Sequence, residues 1–147
     1  MADEKKVKVS CLHCGTTNNA PLTERGKKVV CGRCRNELPS PGKVVEPLPN
    51  QAYELFKKSA IPVLVDFYSV SCMSCELMHS FVMDLAERRM GELMVVRINV
   101  ELHPELAAAF GIQGVPTFVI LYRGNERARS VGEMAETDFS LWVAKFT

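Results

Sequence analysis

The sequence has no apolar run near the ~20 residues that a membrane-spanning helix needs, so we expect no membrane anchor. Its N-terminus, Met1–Lys6, is charged but is followed by no apolar stretch, which does not fit a secretory signal and favours a cytoplasmic location. The formal net charge is only +1. We find no internal repeat, no phosphate-binding loop and no Ser/His/Asp set, which argues against repeat proteins, nucleotide hydrolases and serine hydrolases.

No cysteine is left over, because all six fall into three Cys-x-x-Cys pairs. Two pairs, at 11/14 and 31/34, are separated by sixteen residues, a spacing typical of four-thiolate zinc sites. Residues 11–38 contain few large apolar side chains, so a module of this size needs a metal or another staple to fold. Two disulfides or a second redox centre are the alternatives. The ligands that we predict for a structural zinc ion are Cys11, Cys14, Cys31 and Cys34.

Positive charge is concentrated at the N-terminus. Residues 1–42 hold eight Lys/Arg against four Asp/Glu, whereas residues 43–147 hold ten against thirteen. A basic segment can bind nucleic acid. However, four thiolates around one Zn²⁺ would halve the excess of positive charge in residues 1–42, so a solvated basic surface is the simpler interpretation. We therefore expect no nucleic-acid partner.

The third pair, Cys72-Met-Ser-Cys75, lies between a predicted strand and a predicted helix. The run 63–68 is β-branched and aromatic, as in a buried strand, and residues 73–90 show the three-and-four spacing of an amphipathic helix. Cys72 therefore lies at or near a helix start, where the backbone N–H groups and the helix dipole favour a thiolate. Cys75, one turn later, is expected to be more buried and able to resolve a mixed disulfide. An incidental pair of core cysteines is the alternative.

The rest of the chain alternates short strands and helices. The further elements that we predict are strands at 44–45 and 94–100, helices at 53–59, 104–110 and 139–146, and a hairpin of 117–122 with 127–131. This pattern predicts an α/β fold with helices on both faces of a mixed sheet. The predicted organisation is a charged tail at 1–10, a zinc ribbon at 11–38, a turn-rich linker at 39–42 and an α/β domain at 43–147.

Within 43–147 the sequence resembles the thioredoxin family. The resemblance rests on Val63-Leu-Val-Asp-Phe-Tyr68 before the pair, on Asn99–Gly111, and on Gly114-Val-Pro-Thr-Phe-Val-Ile-Leu-Tyr122. With the ribbon in front, the whole chain resembles the zinc-containing thioredoxin 2 type. The resemblance implies the thioredoxin fold and a thiol–disulfide oxidoreductase that reduces or exchanges disulfides of substrate proteins. It further implies a thioredoxin-reductase-type electron donor and no organic cofactor.

The resemblance also implies roles for single residues in the dithiol chemistry. Cys72 would be the attacking nucleophile, Cys75 the resolving thiol, and Asp66 the buried carboxylate that accepts its proton. On its own, Asp66 fits a satisfied strand carboxylate equally well. Arg97 stands where the family commonly has a lysine. If it reaches Asp66, we expect it to hold the carboxylate ionised and lower its pKa.

Three further positions resemble the family's substrate-binding segment. Pro116 would follow a cis peptide bond, and Val115 would lend backbone hydrogen bonds to an extended substrate. Gly132 would lie beside the active site. Without the resemblance, the Val115–Pro116 bond would be expected to be trans, as most X-Pro bonds are.

The sequence departs from the family's usual Trp-Cys-Gly-Pro-Cys-Lys at the pair, where it reads Ser71-Cys-Met-Ser-Cys-Glu76. Ser74 restores an amide donor in place of proline, which favours the thiolate and a more oxidising disulfide, whereas Glu76 adds an exposed negative charge. We predict a redox potential between the about −270 mV of thioredoxin and the about −180 mV of protein disulfide isomerase. The alternative functions are a thioredoxin-fold binding module and a redox- or zinc-responsive regulator.

Overall fold

The computed structural model describes residues 6–11, 14, 16–21, 29–38 and 42–147. In these residues it contains six strands and four helices. In chain order they are β1 (Lys6–Ser10), β2 (Thr17–Pro21), α1 (Pro49–Lys58), β3 (Val63–Tyr68), α2 (Met73–Arg88), β4 (Met94–Asn99), α3 (Pro104–Ala109), β5 (Thr117–Tyr122), β6 (Asn125–Val131) and α4 (Glu136–Phe146). Among the described helices, none has the length and apolar character to cross a membrane.

The central sheet has the strand order β4-β3-β5-β6. β3 and β4 are parallel, and β5 is antiparallel to both β3 and β6, so the sheet is mixed. A parallel pair needs a crossover connection, which α2 supplies. The strand predicted at 44–45 is a single bridge, in which Val45 pairs with Val96 beside the outer edge of β4.

Both faces of this sheet are covered by helices, as the sequence predicts. Side chains alternate along a strand, so odd and even residues of β3 enter different clusters. One cluster joins Val63, Val65 and Phe67 of β3 to Leu55 and Phe56 of α1 and to Leu106 of α3. The other joins Leu64 of β3 and Phe118 of β5 to Met78 and Val82 of α2 and to Phe139 and Val143 of α4. Burial on both faces explains why β3 is apolar at every position except Asp66.

Two of the boundaries that differ from the predicted ones have a clear local reason. α1 begins at Pro49, because proline suits the first turn of a helix and the Gln51 side chain accepts a hydrogen bond from Leu48 N at 3.1 Å. β6 begins at Asn125, because Arg123 (φ +51°) and Gly124 (φ +82°) form a two-residue hairpin turn with both φ angles positive. The pairing therefore starts directly after the turn.

The N-terminal module begins with a β-hairpin. β1 pairs with β2 in antiparallel register from Lys6↔Pro21 to Ser10↔Thr17. Residues 6–10 were assigned to a charged tail by the sequence analysis, but their Lys-Val-Lys-Val alternation is that of a strand. Residues 1–5, and 39–41 of the predicted linker, lie outside the described residues.

The module rests on the end of α2. Its buried cluster of Cys11, Cys31 and Leu38 is packed against Met90, two residues beyond that helix. Gly42 lies on the same methionine with φ +76°, and a Cβ there would come within 3.0 Å of Met90 Sδ. α2 therefore carries the third cysteine pair at its start and the N-terminal module close to its end.

Candidate functional site: the dithiol and the four-sulfur cluster

Cys72 and Cys75 form a disulfide at the start of α2, with their Cα atoms 5.2 Å apart. Cys72 is the N-cap residue, in extended conformation, and its Sγ accepts a hydrogen bond from Cys75 N at 3.1 Å. This contact arises because the first backbone N–H groups of a helix have no partner within the helix. The sequence prediction that Cys72 lies at or near a helix start agrees with this geometry.

The two sulfur-bearing residues differ in exposure. Cys75 is 2% exposed and belongs to the buried face of α2, whereas Cys72 is half-buried. Met73 between them is 80% exposed, and Glu76 after them is exposed. An incoming disulfide can therefore reach Cys72 but not Cys75.

The loop that precedes Cys72 is held by serine hydrogen bonds. Cys72 N donates to Ser69 O at 3.2 Å, and Ser71 N donates to the Ser69 hydroxyl oxygen at 3.3 Å. The Ser69 hydroxyl in turn donates to the carboxylate of Glu101, which follows β4. Neither Ser69 nor Glu101 is assigned a role from the sequence, since their contact joins residues that are distant in the chain.

Asp66 is buried in β3 on the same face as Leu64, which is the face covered by α2. Arg97 lies opposite it in the parallel register and donates from Nε to Asp66 Oδ2 at 3.2 Å. Asp66 Oδ1 is buried and has no hydrogen-bond partner among the described residues. Burial raises the pKa of Asp66 from its ordinary 3.8 to about 6, although Arg97 acts to lower it.

The expected contact of Arg97 with Asp66 is therefore present, and the guanidinium acts to lower the Asp66 pKa as expected. The pKa is nevertheless raised overall, because burial acts more strongly in the opposite direction. In the closed space between the sheet and α2, the loss of hydration destabilises the charged carboxylate by more free energy than the contact with one guanidinium stabilises it.

A second loop with special geometry lies at the same end of the sheet. The Val115–Pro116 peptide bond is cis, and Pro116 is buried directly before β5. Thr117 donates from its hydroxyl to Gly114 O at 2.6 Å, and Gly132 N donates to Pro116 O at 2.8 Å. Gly132 has φ +95°, a conformation that glycine adopts without strain.

The sheet register brings this loop and the dithiol to one edge. β3 ends at Tyr68, β5 begins at Thr117, which pairs with Phe67, and β6 ends at Val131, which pairs with Thr117. The loop to Cys72, the Val115–Pro116 peptide and Gly132 therefore all leave the sheet at the same end.

The four N-terminal cysteines meet in one cluster, with their sulfur atoms all within 4.8 Å of one another. The Cys11–Cys34 and Cys14–Cys31 sulfur distances are 3.5 and 3.6 Å. Both exceed the ~2.05 Å of a disulfide bond. Both are close to the about 3.8 Å that separates ligands of a tetrahedral zinc ion with Zn–S bonds of ~2.3 Å. The donor set therefore fits zinc.

Hydrogen-bond donors surround these sulfurs. Asn18 Nδ2 and Arg33 N approach Cys31 Sγ at 3.5 and 3.4 Å, and Asn36 Nδ2 approaches Cys34 Sγ at 3.4 Å. A backbone hydrogen bond from Cys34, with smaller contributions from Arg33 and Asn18, lowers the pKa of Cys31 from 9.0 to about 6. The donors thus favour the thiolate, the form that binds metal. Asn18 and Asn36 were not identified from the sequence.

Residues 43–145 match the family model described as Thioredoxin. The chain belongs to the thioredoxin family. Its Cys-x-x-Cys disulfide at the start of α2 is the redox centre that such a fold uses, and the protein is a thiol–disulfide oxidoreductase acting on protein disulfides. Thioredoxins act on disulfide substrates and are reduced by thioredoxin reductase.

Known relatives agree with this assignment. Thioredoxin C-3 of Corynebacterium nephridii is 26% identical over 135 residues, which cover 92% of this chain and 92% of that protein. Thioredoxin 1 of Chlorobaculum tepidum is 34% identical over 79 residues, or 54% of this chain and 78% of that protein. Among solved structures, a mutant thioredoxin from Halobacterium salinarum NRC-1 aligns with a TM-score of 0.66 at 27% identity, over 74% of this chain and 95% of that chain.

Proposed function

We propose that Cys72 is the nucleophile of this oxidoreductase, Cys75 its resolving thiol and Asp66 the acceptor of the Cys75 proton. The observation that carries the proposal is the unequal placement of the two cysteines. Cys72 is half-buried at the N-cap of α2 and receives a backbone hydrogen bond, whereas Cys75 is buried on the inner face.

In the first step, the Cys72 thiolate attacks one sulfur of a substrate disulfide. A bond forms between Cys72 Sγ and that sulfur, the substrate S–S bond breaks, and the second substrate sulfur leaves as a thiolate that takes a proton from water. The N-cap hydrogen bond and the helix dipole stabilise the attacking thiolate before this step.

In the second step, Cys75 resolves the mixed disulfide. Its thiol gives its proton to Asp66 and its sulfur attacks Cys72 Sγ, which forms the Cys72–Cys75 disulfide and breaks the bond between Cys72 Sγ and the substrate. The remaining substrate sulfur leaves as a thiolate that takes a proton from water, and the substrate is released as a dithiol. Asp66 suits this role because a carboxylate whose pKa is raised to about 6 takes a proton more readily than an ordinary one near neutral pH. A reductase dithiol then returns two electrons to the Cys72–Cys75 disulfide.

The substrate is proposed to dock beside the cis peptide. Val115 offers backbone groups at the sheet edge that also carries the half-buried Cys72, and an extended chain can pair with them as with an added strand. Gly132 has no side chain to cover that edge. The space beside it is open, since no atom lies within 4 Å of the position that a Cβ would take.

The N-terminal module is proposed to be a zinc ribbon of the thioredoxin 2 type. Cys11, Cys14, Cys31 and Cys34 would hold the ion, and the metal would supply folding energy rather than chemistry, because four thiolates close its coordination shell. Zinc binding requires these thiols to stay reduced, so the proposed location is the cytoplasm.

Reduction of insulin with dithiothreitol as electron donor tests the nucleophile. We expect activity in the full chain, none above background in Cys72→Ser, and in Cys75→Ser a mixed disulfide between Cys72 and the substrate that mass spectrometry detects. Activity that survives Cys72→Ser would contradict the assignment.

Native mass spectrometry tests the metal. We expect one zinc ion per chain, retained in Cys72→Ser and lost in Cys31→Ser. Zinc lost from the Cys72→Ser variant instead would place the metal at the dithiol and contradict the proposed ribbon.

A further inference from the structure

A chain of side-chain contacts leads from Asp66 to the protein surface. Arg97 donates to Asp66 Oδ2, and its guanidinium carbon lies 3.7 Å from the centroid of the Tyr68 ring. The Tyr68 hydroxyl donates to the carboxylate of Glu46. Neither Tyr68 nor Glu46 has a role in the oxidoreductase chemistry described above.

The fold explains why these four side chains meet. Tyr68 is two residues after Asp66 in β3, so both point to the same face of the sheet. Arg97 pairs with Asp66 in the β3–β4 register. Glu46 follows Val45, whose bridge to Val96 brings this segment beside β4.

The contacts restrict the arginine more than an ion pair alone does. The Arg97 side chain is 12% exposed, and stacking on an aromatic ring fixes the plane of its guanidinium group. The ring is itself held through its hydroxyl by Glu46. With the guanidinium fixed on Oδ2, the second oxygen of Asp66 stays buried and without a partner among the described residues.

We propose that Tyr68 and Glu46 are positioning residues of the dithiol reaction: they clamp Arg97 onto one carboxylate oxygen of Asp66, so that the other oxygen stays available to the Cys75 proton. The inference rests on the proposed function, in which Asp66 accepts that proton. It adds two residues that do not touch the reacting sulfurs.

Charged and titratable groups act on Asp66 from several elements. Arg97 on β4 and Glu46 before α1 both influence its pKa, and the Asp66 charge acts on Tyr68 of β3. Cys75 and, one turn later, His79 lie on α2, the helix that covers this face of the sheet. β5 contributes the apolar Phe118 opposite Asp66. The charge of Glu46 by itself raises the pKa of Asp66, whereas Arg97 lowers it. Losing the Glu46 charge and losing the clamp therefore shift the Asp66 pKa in opposite directions, and this separates the two roles.

The test measures the Asp66 titration midpoint by carboxyl NMR in the full chain, together with the pH profile for resolution of a mixed disulfide at Cys72. Tyr68→Leu removes the stacking surface, and we expect it to raise the midpoint by about half a pH unit or more. We expect resolution at pH 6 to slow by about twofold, because raising the midpoint by half a unit from about 6 halves the fraction of Asp66 that is ionised and able to take the Cys75 proton. The matched control is Tyr122→Leu, since Arg123 and Arg127 stack on that ring at the opposite end of the sheet. The control should move neither quantity.

A double-variant cycle isolates Glu46 with milder changes. Tyr68→Phe keeps the ring but not the hydroxyl, so in that background Glu46→Met removes only a charge and should lower the Asp66 midpoint. With Tyr68 intact, Glu46→Met also releases the ring, and the midpoint should rise or stay unchanged. An equal fall in both backgrounds would show that Glu46 acts only as a charge and would overturn the clamp.

Two outcomes separate this inference from the proposed function. If Asp66→Asn slows resolution but Tyr68→Leu behaves like Tyr122→Leu, the proton transfer stands and the clamp is overturned. If Asp66→Asn leaves resolution unchanged, the proposed proton transfer fails and the clamp fails with it.

Discussion

The N-terminal module and the α/β domain bury very different interiors. Among the described residues, the module's buried cluster consists of Cys11, Cys31 and Leu38, two of which are sulfur ligands of the predicted zinc site. The α/β domain buries two large apolar clusters, one on each face of its sheet. The proposed zinc ion would therefore stabilise the module, whereas apolar burial stabilises the α/β domain.

The same Cys-x-x-Cys spacing gives different arrangements of sulfur atoms in these two regions. In the module, two pairs face each other, and their sulfurs approach to 3.5 and 3.6 Å across the pairs. At the start of α2, the single pair is bonded to itself, with one residue half-buried. The Cys-x-x-Cys spacing alone therefore does not determine the chemistry of a pair. Its structural surroundings do: a second cysteine pair in the module, and a strand and a helix in the α/β domain.

Removing the proposed zinc ion should cause the largest difference in stability between the two regions. Structural zinc contributes on the order of 10 kcal/mol to small zinc modules, so Cys31→Ser or chelation should unfold residues 6–38. The α/β domain should keep its cooperative unfolding transition and its insulin-reducing activity. Hydrogen exchange measured by mass spectrometry checks both regions in one sample. Loss of protection in β3 and β5 as well would show that the two regions are not independent.

Removing a buried side chain from the apolar core should lower the stability of the α/β domain. Phe118 is fully buried, and its ring centroid lies 4.9 Å from that of Phe139. We expect Phe118→Ala to lower the free energy of unfolding of the α/β domain by about 3–5 kcal/mol while zinc stays bound. The control is Phe146→Ala at a partly exposed position of α4, where urea denaturation should show a much smaller loss.

Asp66 gives the α/β domain a pH dependence of known sign. Its pKa is raised in the folded state, so its contribution to stability is complete below about pH 3.8 and is lost as pH rises through about 6. Asp66→Asn stays neutral at every pH. The stability of this variant relative to the wild type should therefore increase by about 2 kcal/mol between pH 4 and pH 7.5.

Urea denaturation of both proteins at each pH measures this difference, because any pH-independent effect of the substitution cancels. A difference that stays constant, or that changes in the opposite direction, would contradict a raised pKa at Asp66.

The smallest effect is expected where the two regions touch. Met90 is partly buried against the cysteine cluster, and Gly42 lies on it. Met90→Ala should lower the stability of the module by about 1 kcal/mol and leave the α/β domain and its activity unchanged. The zinc-release rate in the presence of a chelator reports on the module. The matched control is Met83→Ala, since Met83 lies on the exposed face of α2, which ends two residues before Met90.

The elements that the sequence predicted best are those with strong apolar patterns. β3 has the predicted bounds because five of its six residues are buried, and α2 is amphipathic over four turns. Residues 6–10, which form β1, were assigned to a charged tail because of their lysines, although lysine and valine alternate there as in a strand. The direction of the Asp66 pKa shift depends on how fully the fold closes over one carboxylate, which no local pattern reveals.

The contact between Glu46 and Tyr68 spans 22 residues, so it follows from strand pairing rather than from a motif. One local signal was nevertheless present. The two-residue spacing of Asp66 and Tyr68 places both on one face of the strand, and the register of β4 then adds Arg97.

The rate of alkylation of each cysteine in the reduced protein, followed by mass spectrometry from pH 4 to pH 10, tests the central claim most directly. We predict that Cys72 reacts first, with an apparent pKa clearly below the ~8.5 of an ordinary thiol, and that Cys75 reacts far more slowly. Equal reactivity of the two thiols, or a Cys72 that is inert at neutral pH, would contradict the account.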